Sequence, residues 1–155
     1  MNKQRLIFLD IDGPMIPSGC FLLFGRGASF DRKYSPISVS CLNNLCHQSK
    51  AKIVFNTTHN NDDQLVEDSI REGIKKGHIY SGDCKTKYPQ LENRLDAINL
   101  WLDDTGNTEN PWVAFDDCIF NSDRLIYVDY DDGLNVRHCN EAMNILGKGV
   151  PTLIF

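Results

Sequence analysis

Residues Arg5 to Gly13 read RLIFLDIDG, an apolar run that stops abruptly at two aspartates and a glycine. The run does not alternate between apolar and polar residues, which is typical of a strand covered on both faces of a parallel sheet. An Asp-x-Asp-Gly segment arises by chance in on the order of a few per cent of chains of this length and average composition. Asp10 and Asp12 could form a simple turn, but their position at the end of a buried strand makes them candidates for chemistry.

Four further short runs are rich in β-branched and aromatic residues and end in polar residues: Lys52 to Thr58, His78 to Ser81, Trp112 to Asp117 and Arg124 to Asp129. Helical candidates lie between the predicted strands: Pro36 to Gln48, Asp62 to Lys76, Tyr88 to Asp103 and Asn135 to Leu146. Alternation of strands and helices predicts an α/β fold with a parallel sheet between two layers of helices, a three-layer α/β/α Rossmann-like architecture.

Ligand sites in such sheets lie at the carboxyl ends of the strands. The residues that follow the predicted strands are polar: Asp10 and Asp12, then Thr57, Thr58 and His59, then Asp116 and Asp117, then Asp129. Carboxylates that converge on a small volume repel one another unless a cation lies among them. Oxygen ligands of this kind, together with a substrate phosphate, favour Mg²⁺.

The composition restricts the class of protein. The chain has 155 residues, with 16 Lys and Arg against 21 Asp and Glu, and 41% hydrophobic residues. These values predict one globular domain over residues 1–155 and argue against a protein that coats nucleic acid through a broadly basic face. No apolar stretch approaches the twenty or so residues of a membrane span. The six cysteines contain no C-x-x-C pair, so we expect reduced thiols in the cytoplasm or another reducing compartment.

Four segments resemble, in order, the four motifs of the haloacid dehalogenase (HAD) superfamily of phosphohydrolases. The first is the strand with Asp-x-Asp at Phe8 to Gly13, and the second is the strand that ends at Thr57. The third is a basic residue, Arg94, and the fourth is the acidic pair Asp116 and Asp117 after a strand. The resemblance covers nearly the whole chain and implies the HAD variant of the Rossmann-like fold.

The resemblance also implies a reaction. Asp10 would attack phosphorus and form an aspartyl-phosphate, and Asp12 would act as the general acid and base. Asp10, Asp12, Asp116 and Asp117 would surround the Mg²⁺ ion. The chain would therefore be a phosphoric monoester hydrolase.

The second and third motifs would bind the phosphoryl group and offset its negative charge. The hydroxyl of Thr57 would bind phosphoryl oxygens, and Arg94 would offset negative charge and orient Asp10. Lys87 and Lys85 remain alternatives to Arg94, because both stand nearby in the sequence.

Within the superfamily, the chain is most similar to the HAD domains of Swiss-army-knife RNA repair proteins. The shared segments are Arg94, Ile98, Trp101 and Leu102 in one helix, the strand Trp112 to Asp117, and Gly133 with Leu134. One departure is the pair after Thr57, where those relatives have Trp-Arg and this chain has Thr58 and His59. We expect Thr58 and His59 to contact the substrate in their place.

The lengths of the inserts bear on the substrate. Residues Pro14 to Ser35 have room for a hairpin flap, and Thr58 to Arg94 hold one helix, a short strand and a loop. Neither segment can form the cap domain that covers small metabolites in this superfamily. A capless, open site predicts a phosphorylated macromolecule as substrate, either a nucleic-acid end or a phosphoprotein.

Two alternatives to a phosphatase remain at this point. The first is a catalytically silent HAD-fold module that binds phosphate or a partner. The second is a receiver-like phosphoacceptor, which would also use strand-end carboxylates and Mg²⁺ but would not need the spacing of Asp10 and Asp12.

Overall fold

The computed structural model describes residues 3–147, in which four strands form one parallel sheet. The strands are β1 (Leu6–Leu9), β2 (Lys52–Phe55), β3 (Trp112–Asp116) and β4 (Leu125–Tyr127), in the spatial order β2-β1-β3-β4. The helices are α1 (Gly19–Phe24), α2 (Pro36–Ser49), α3 (Leu65–Arg71), α4 (Arg94–Thr105) and α5 (Val136–Leu146). Short 3₁₀ turns span Thr58–Asn61 and Lys76–His78.

The core has two layers of apolar side chains, one on each face of the sheet. Alternate residues of a strand point to opposite faces, so Ile7 and Leu9 of β1 pack with the residues of α2 and α5. Phe8 faces the other layer, where it meets Trp101 of α4 and Trp112 of β3 edge-on at ring distances of 5.5 Å. The predicted three-layer α/β/α fold is therefore confirmed, and residues 3–147 contain no cap domain.

Two predicted helix starts are confirmed. Ser35 accepts a hydrogen bond from the backbone N–H of Ser38 with Pro36 at the first helical position, which starts α2 as expected for this pair. Asn135 caps α5 and forms a reciprocal capping box with His138. These caps determine the residues at which α2 and α5 begin.

The predicted strand His78 to Ser81 is wrong. Ile79 makes a single parallel bridge to Ile53 of β2, and the chain then bends at Ser81 and Gly82. It returns to β2 at Lys85, which bridges Phe55. The bend carries Tyr80 against Trp101, 5.1 Å away, so packing against α4 replaces a continuous ladder along the edge of β2.

The predicted helix from Tyr88 begins instead at Arg94. Tyr88 precedes Pro89, and the residue before a proline is disfavoured in right-handed helical geometry; its φ is 49°. The helix predicted over Asp62 to Lys76 is likewise shorter, at Leu65–Arg71, and Gly73 follows it with φ 114°.

The segment Pro14 to Ser35 contains the helix α1 and a series of turns, where the sequence predicts a hairpin. The apolar residues Cys20 to Phe24 are consecutive and do not alternate, so they lack the pattern of a hairpin strand. Gly25, at φ 84°, ends α1. We call Gly25 to Tyr34, the rest of this segment up to α2, the flap turn.

Two further findings concern the chain as a whole. All six cysteines are free thiols, as predicted, and Cys20, Cys41, Cys46 and Cys139 are buried. Among the helices of residues 3–147, none combines the length and the apolar composition that crossing a membrane requires.

Candidate active site at the carboxyl edge of the sheet

The polar residues that follow β1 and β3 lie side by side because these two strands are neighbours. Leu9 pairs with Phe115, and the backbone N–H of Asp10 donates to the Phe115 carbonyl at 3.0 Å. The ladder therefore continues to the ends of both strands and brings Asp10 next to Asp116. Both carboxylates are almost fully buried, at 3% and 1% exposure.

Three carboxylates form the centre of this edge. One oxygen each from Asp10, Asp116 and Asp117 lies within 4.8 Å of the others, the one group of this kind found among the described residues. The sequence predicts Asp12 as a fourth metal ligand, but its carboxylate lies outside this trio and binds Ser29 and His59. Asp10 and Asp12 do not point the same way, as they would two residues apart in an extended strand, because the backbone turns after Ile11. The N–H groups of Met15 and Ile16 both donate to the Ile11 carbonyl.

Arg94, the first residue of α4, lies against the carboxylates. Its Nη1 is 2.9 Å from Asp116 Oδ2 and 3.3 Å from Asp10 Oδ1, and it also donates to the Asn56 carbonyl at 3.0 Å. The two alternative cations bind elsewhere: Lys85 donates to the carbonyls of Asn60 and Asp62, and Lys87 lies 3.4 Å from Asp104. The geometry therefore selects Arg94 as the basic residue of the cluster.

The electrostatics of the cluster are unbalanced without a cation. Burial raises the pKa of Asp10 well above its ordinary value, the Asp116 carboxylate raises it further, and Arg94 and Thr57 only partly oppose these effects. Burial also raises the pKa of Asp116, against the opposing effect of Arg94. One guanidinium thus contacts both Asp10 and Asp116, and a divalent cation would supply the further charge that favours the ionised forms of these two carboxylates.

Thr57 and Thr58 have different surroundings. Thr57 is fully buried after β2, and its side chain acts to lower the pKa of Asp10. Its hydroxyl accepts a hydrogen bond from the backbone N–H of His59 at 3.4 Å. Thr58 is exposed, and with His59 and Asn61 it lines an open pocket of about 630 Å³. Thr57 therefore lies at the carboxylates, whereas Thr58 lies at the rim.

Asp12 is held by residues from two segments. Its Oδ1 accepts from the Ser29 hydroxyl at 2.9 Å, and its Oδ2 is 2.9 Å from His59 Nε2. The other ring nitrogen of His59 accepts from Arg32 Nε at 3.1 Å. Burial alone would raise the pKa of Asp12, but the hydrogen bonds from His59 and Ser29 outweigh it and lower the pKa. Sequence reasoning missed Ser29, and it considered Arg32 for phosphate contact and not for binding His59; both residues belong to the flap turn and carry no periodic signal.

Gly13 allows Asp117 to approach the end of β1. Its φ is 97°, and a Cβ at this position would lie 2.8 Å from Asp117 Cβ and 2.9 Å from Asp117 Cγ. Only glycine accepts both this backbone conformation and this distance without strain.

A Gly13→Ala variant is therefore expected to displace Asp117 and to weaken Mg²⁺ binding in calorimetric titration. We expect the free energy of unfolding to fall by about 1–3 kcal/mol, the range for a side chain forced into such a conformation. Gly19→Ala is the matched control, because a Cβ there meets nothing within 4 Å. Wild-type Mg²⁺ affinity in Gly13→Ala would contradict the placement of Asp117 among the cation ligands.

Comparison with known proteins agrees with the fold. The sequence model of one family, described as the HAD domain in Swiss Army Knife RNA repair proteins, matches residues 6–139. No curated protein and no solved structure matches the chain. The family match extends from β1 into α5 and includes the segments that carry the carboxylates and Arg94. The resemblance seen in the sequence is confirmed, and the chain belongs to the family of HAD domains in Swiss Army Knife RNA repair proteins.

Proposed function

We propose that this chain is a Mg²⁺-dependent phosphatase that forms an aspartyl-phosphate on Asp10. The observation that carries the proposal is the trio of two buried carboxylates, Asp10 and Asp116, and the half-buried Asp117, with Arg94 against the two buried members. A catalytically silent module would have no need to bury Asp10 and Asp116 together at such an electrostatic disadvantage. The family supports a hydrolase in general, and the complete set of acidic residues supports an active one.

The trio fits the proposed cation. Mg²⁺ prefers carboxylate oxygens and usually binds one or two of them together with substrate phosphate, and Asp10, Asp116 and Asp117 each offer one oxygen within the required range. When bound there, the ion would offset the charge of the carboxylates and of the phosphoryl group. Asp12 is not included in this ligand set, because both its carboxylate oxygens have protein donors.

The first half of the proposed reaction uses Asp10 and Asp12. A carboxylate oxygen of Asp10 attacks phosphorus, and the bond from phosphorus to the leaving oxygen breaks. Arg94 holds Asp10 in place, and the main-chain N–H of Ile11, 2.8 Å from Asp10 Oδ1, fixes the same oxygen. Asp12, whose carboxylate form is favoured by Ser29 and His59, must first take up a proton from solvent. It then transfers this proton to the leaving oxygen and becomes a carboxylate again.

The second half regenerates the enzyme. The Asp12 carboxylate takes a proton from water, and the resulting hydroxide attacks the phosphorus of the aspartyl-phosphate. Inorganic phosphate leaves, Asp10 is again a carboxylate, and Asp12 is again protonated. We expect the hydroxyl of Thr57, which is fully buried after β2, to donate to a phosphoryl oxygen.

A phosphorylated nucleic-acid end is the substrate that the molecule supports best. The family occurs in proteins described as RNA repair proteins, and the site is open to large substrates because residues 3–147 form no cap. Phe30 is 91% exposed and adjoins Ser29, whose hydroxyl binds Asp12. An exposed aromatic ring on the residue next to one that binds Asp12 suits stacking of a terminal base. A phosphoprotein is the alternative substrate.

We expect the protein to release phosphate from an aryl phosphate in the presence of Mg²⁺ and to lose this activity in EDTA. Rates should then be compared on 5′- and 3′-phosphorylated oligoribonucleotides, phosphopeptides and sugar phosphates. The highest kcat/KM is expected for an oligonucleotide end. A preference for phosphopeptides would overturn the substrate class, and Mg²⁺ binding without turnover on any substrate would indicate the silent module.

A further inference from the structure

Arg32 is a buried cation outside the carboxylate trio. Its side chain is 6% exposed, and each of its three nitrogens has a protein acceptor. Its φ of 47°, in the flap turn, is uncommon for a residue other than glycine. The contacts that hold Arg32 in this conformation therefore indicate its role.

The guanidinium of Arg32 is fixed by two carboxylates that bind its two terminal nitrogens. Nη1 lies 2.6 Å from Asp68 Oδ2, and Nη2 lies 2.7 Å from Asp62 Oδ2. Asp68 is itself held by Arg71 through its other oxygen, at 2.8 Å. Because the guanidinium is planar, these two ion pairs also determine the direction in which its Nε–H points.

The third donor of Arg32 determines the tautomer of His59. Arg Nε is always a donor, so the Nδ1 atom of His59, 3.1 Å away, must be the acceptor. A neutral imidazole with an accepting Nδ1 carries its hydrogen on Nε2. Nε2 lies 2.9 Å from Asp12 Oδ2, and therefore it donates to that carboxylate.

We infer that Arg32 is a positioning residue that acts through His59: it fixes the Nε2–H tautomer of His59 so that the ring orients the carboxylate of Asp12. The same flap turn supplies Ser29, which donates to the other oxygen of Asp12. The flap turn thus positions both carboxylate oxygens of Asp12, one directly through Ser29 and the other through Arg32 and His59. Both ring nitrogens of His59 are used in this way, which gives His59 a role different from the substrate contact that the sequence predicts.

The catalytic consequence rests on the proposed function, whereas the tautomer of His59 does not. The first experiment therefore measures the tautomer at neutral pH, by the ¹⁵N chemical shifts of the histidine rings in labelled protein. His59→Gln assigns the His59 signals by their loss. We expect a single Nε2–H tautomer for His59 in the wild-type protein.

Arg32→Lys tests the origin of that tautomer. Lysine keeps a positive charge for Asp62 and Asp68, but its three donors share one nitrogen at the end of the side chain, so none is held at the position of Nε that faces His59. We expect the His59 signals to show a mixture of tautomers in this variant. An Nδ1–H tautomer in the wild-type protein, or a fixed Nε2–H tautomer in Arg32→Lys, would overturn the inference.

The second experiment compares two substitutions of His59 that leave Arg32 in place. Gln places an amide N–H near the position of Nε2, whereas the shorter Asn side chain places it near Nδ1. We expect His59→Asn to lower kcat by up to about 100-fold, the effect of a misplaced catalytic group, with little change in KM, and His59→Gln to recover most of the rate. Equal losses in both variants would refute the positioning role. Failure of the wild-type protein to turn over would count against the proposed function alone, because the tautomer measurement does not depend on activity.

Discussion

An Asp10→Asn variant is expected to release no phosphate above background, and yet to be more stable than the wild-type protein in EDTA. Loss of turnover follows because an amide cannot attack phosphorus as a carboxylate does. The gain in stability follows because burial and the neighbouring Asp116 oppose the ionised form of Asp10. Asparagine has nearly the same shape and removes that charge, so the trio loses one of its repelling members.

The sign of this effect depends on pH. The pKa of Asp10 is raised in the folded protein, so below the ordinary aspartate pKa of about 4 the residue is protonated in both states and the variant gains little. As pH rises from there through the raised folded pKa, the unfolded wild-type chain loses its proton first, and the wild-type fold loses stability relative to Asp10→Asn.

Urea unfolding in EDTA at several pH values measures the difference in free energy of unfolding between Asp10→Asn and the wild-type protein. In thermal unfolding, a gain of 1 kcal/mol would raise Tm by roughly 2–4 °C in a chain of this size. Asp123→Asn is the matched control, because it makes the same change at an exposed loop position. Mg²⁺ should reverse the order by stabilising the wild-type protein more than the variant. Undiminished turnover would refute Asp10 as the nucleophile, and a less stable variant in EDTA would refute the electrostatic account of the trio.

The central part of the site could be predicted from the sequence because it depends on strand register. Two unbroken apolar runs that both end in aspartate must bring those aspartates to one edge if the strands are parallel neighbours, and β1 and β3 are. The same logic placed Thr57 at that edge after β2. Arg94 could be selected over Lys85 and Lys87 only with the structure, since Tyr88 and Pro89 delay the helix start until Arg94.

The contacts around Asp12 could not be predicted, because they join residues far apart in the sequence without any repeating pattern. His59 is 47 residues from Asp12 and 27 from Arg32. The flap turn that supplies Arg32 and Ser29 has no helical or strand periodicity, and the hairpin predicted for that segment would have directed its side chains differently. Irregular segments of this kind are fixed by tertiary hydrogen bonds, which local sequence patterns do not encode.

An Arg94→Met variant is expected to lose about 3–5 kcal/mol of unfolding free energy in EDTA, the usual result of removing one partner of a buried ion pair. Methionine retains much of the aliphatic volume, so the loss should come chiefly from Asp10 and Asp116, which remain buried without a cation. Lys87→Met is the control: Lys87 is exposed and 3.4 Å from Asp104, and its replacement should change stability by no more than about 0.5 kcal/mol.

Arg94 also donates to the carbonyls of Asn56 and Gln90, so its loss could act through these backbone contacts instead of through charge. A double-mutant cycle separates the two causes. If charge dominates, Asp116→Asn should restore much of the stability lost in Arg94→Met, and Mg²⁺ should stabilise Arg94→Met by more than it stabilises the wild-type protein. If the backbone contacts dominate, the two losses should add and Mg²⁺ should have the same effect on both proteins. Additive losses would therefore remove Arg94 from its proposed role as the charge partner of Asp10 and Asp116, and would leave it as the residue that anchors the start of α4.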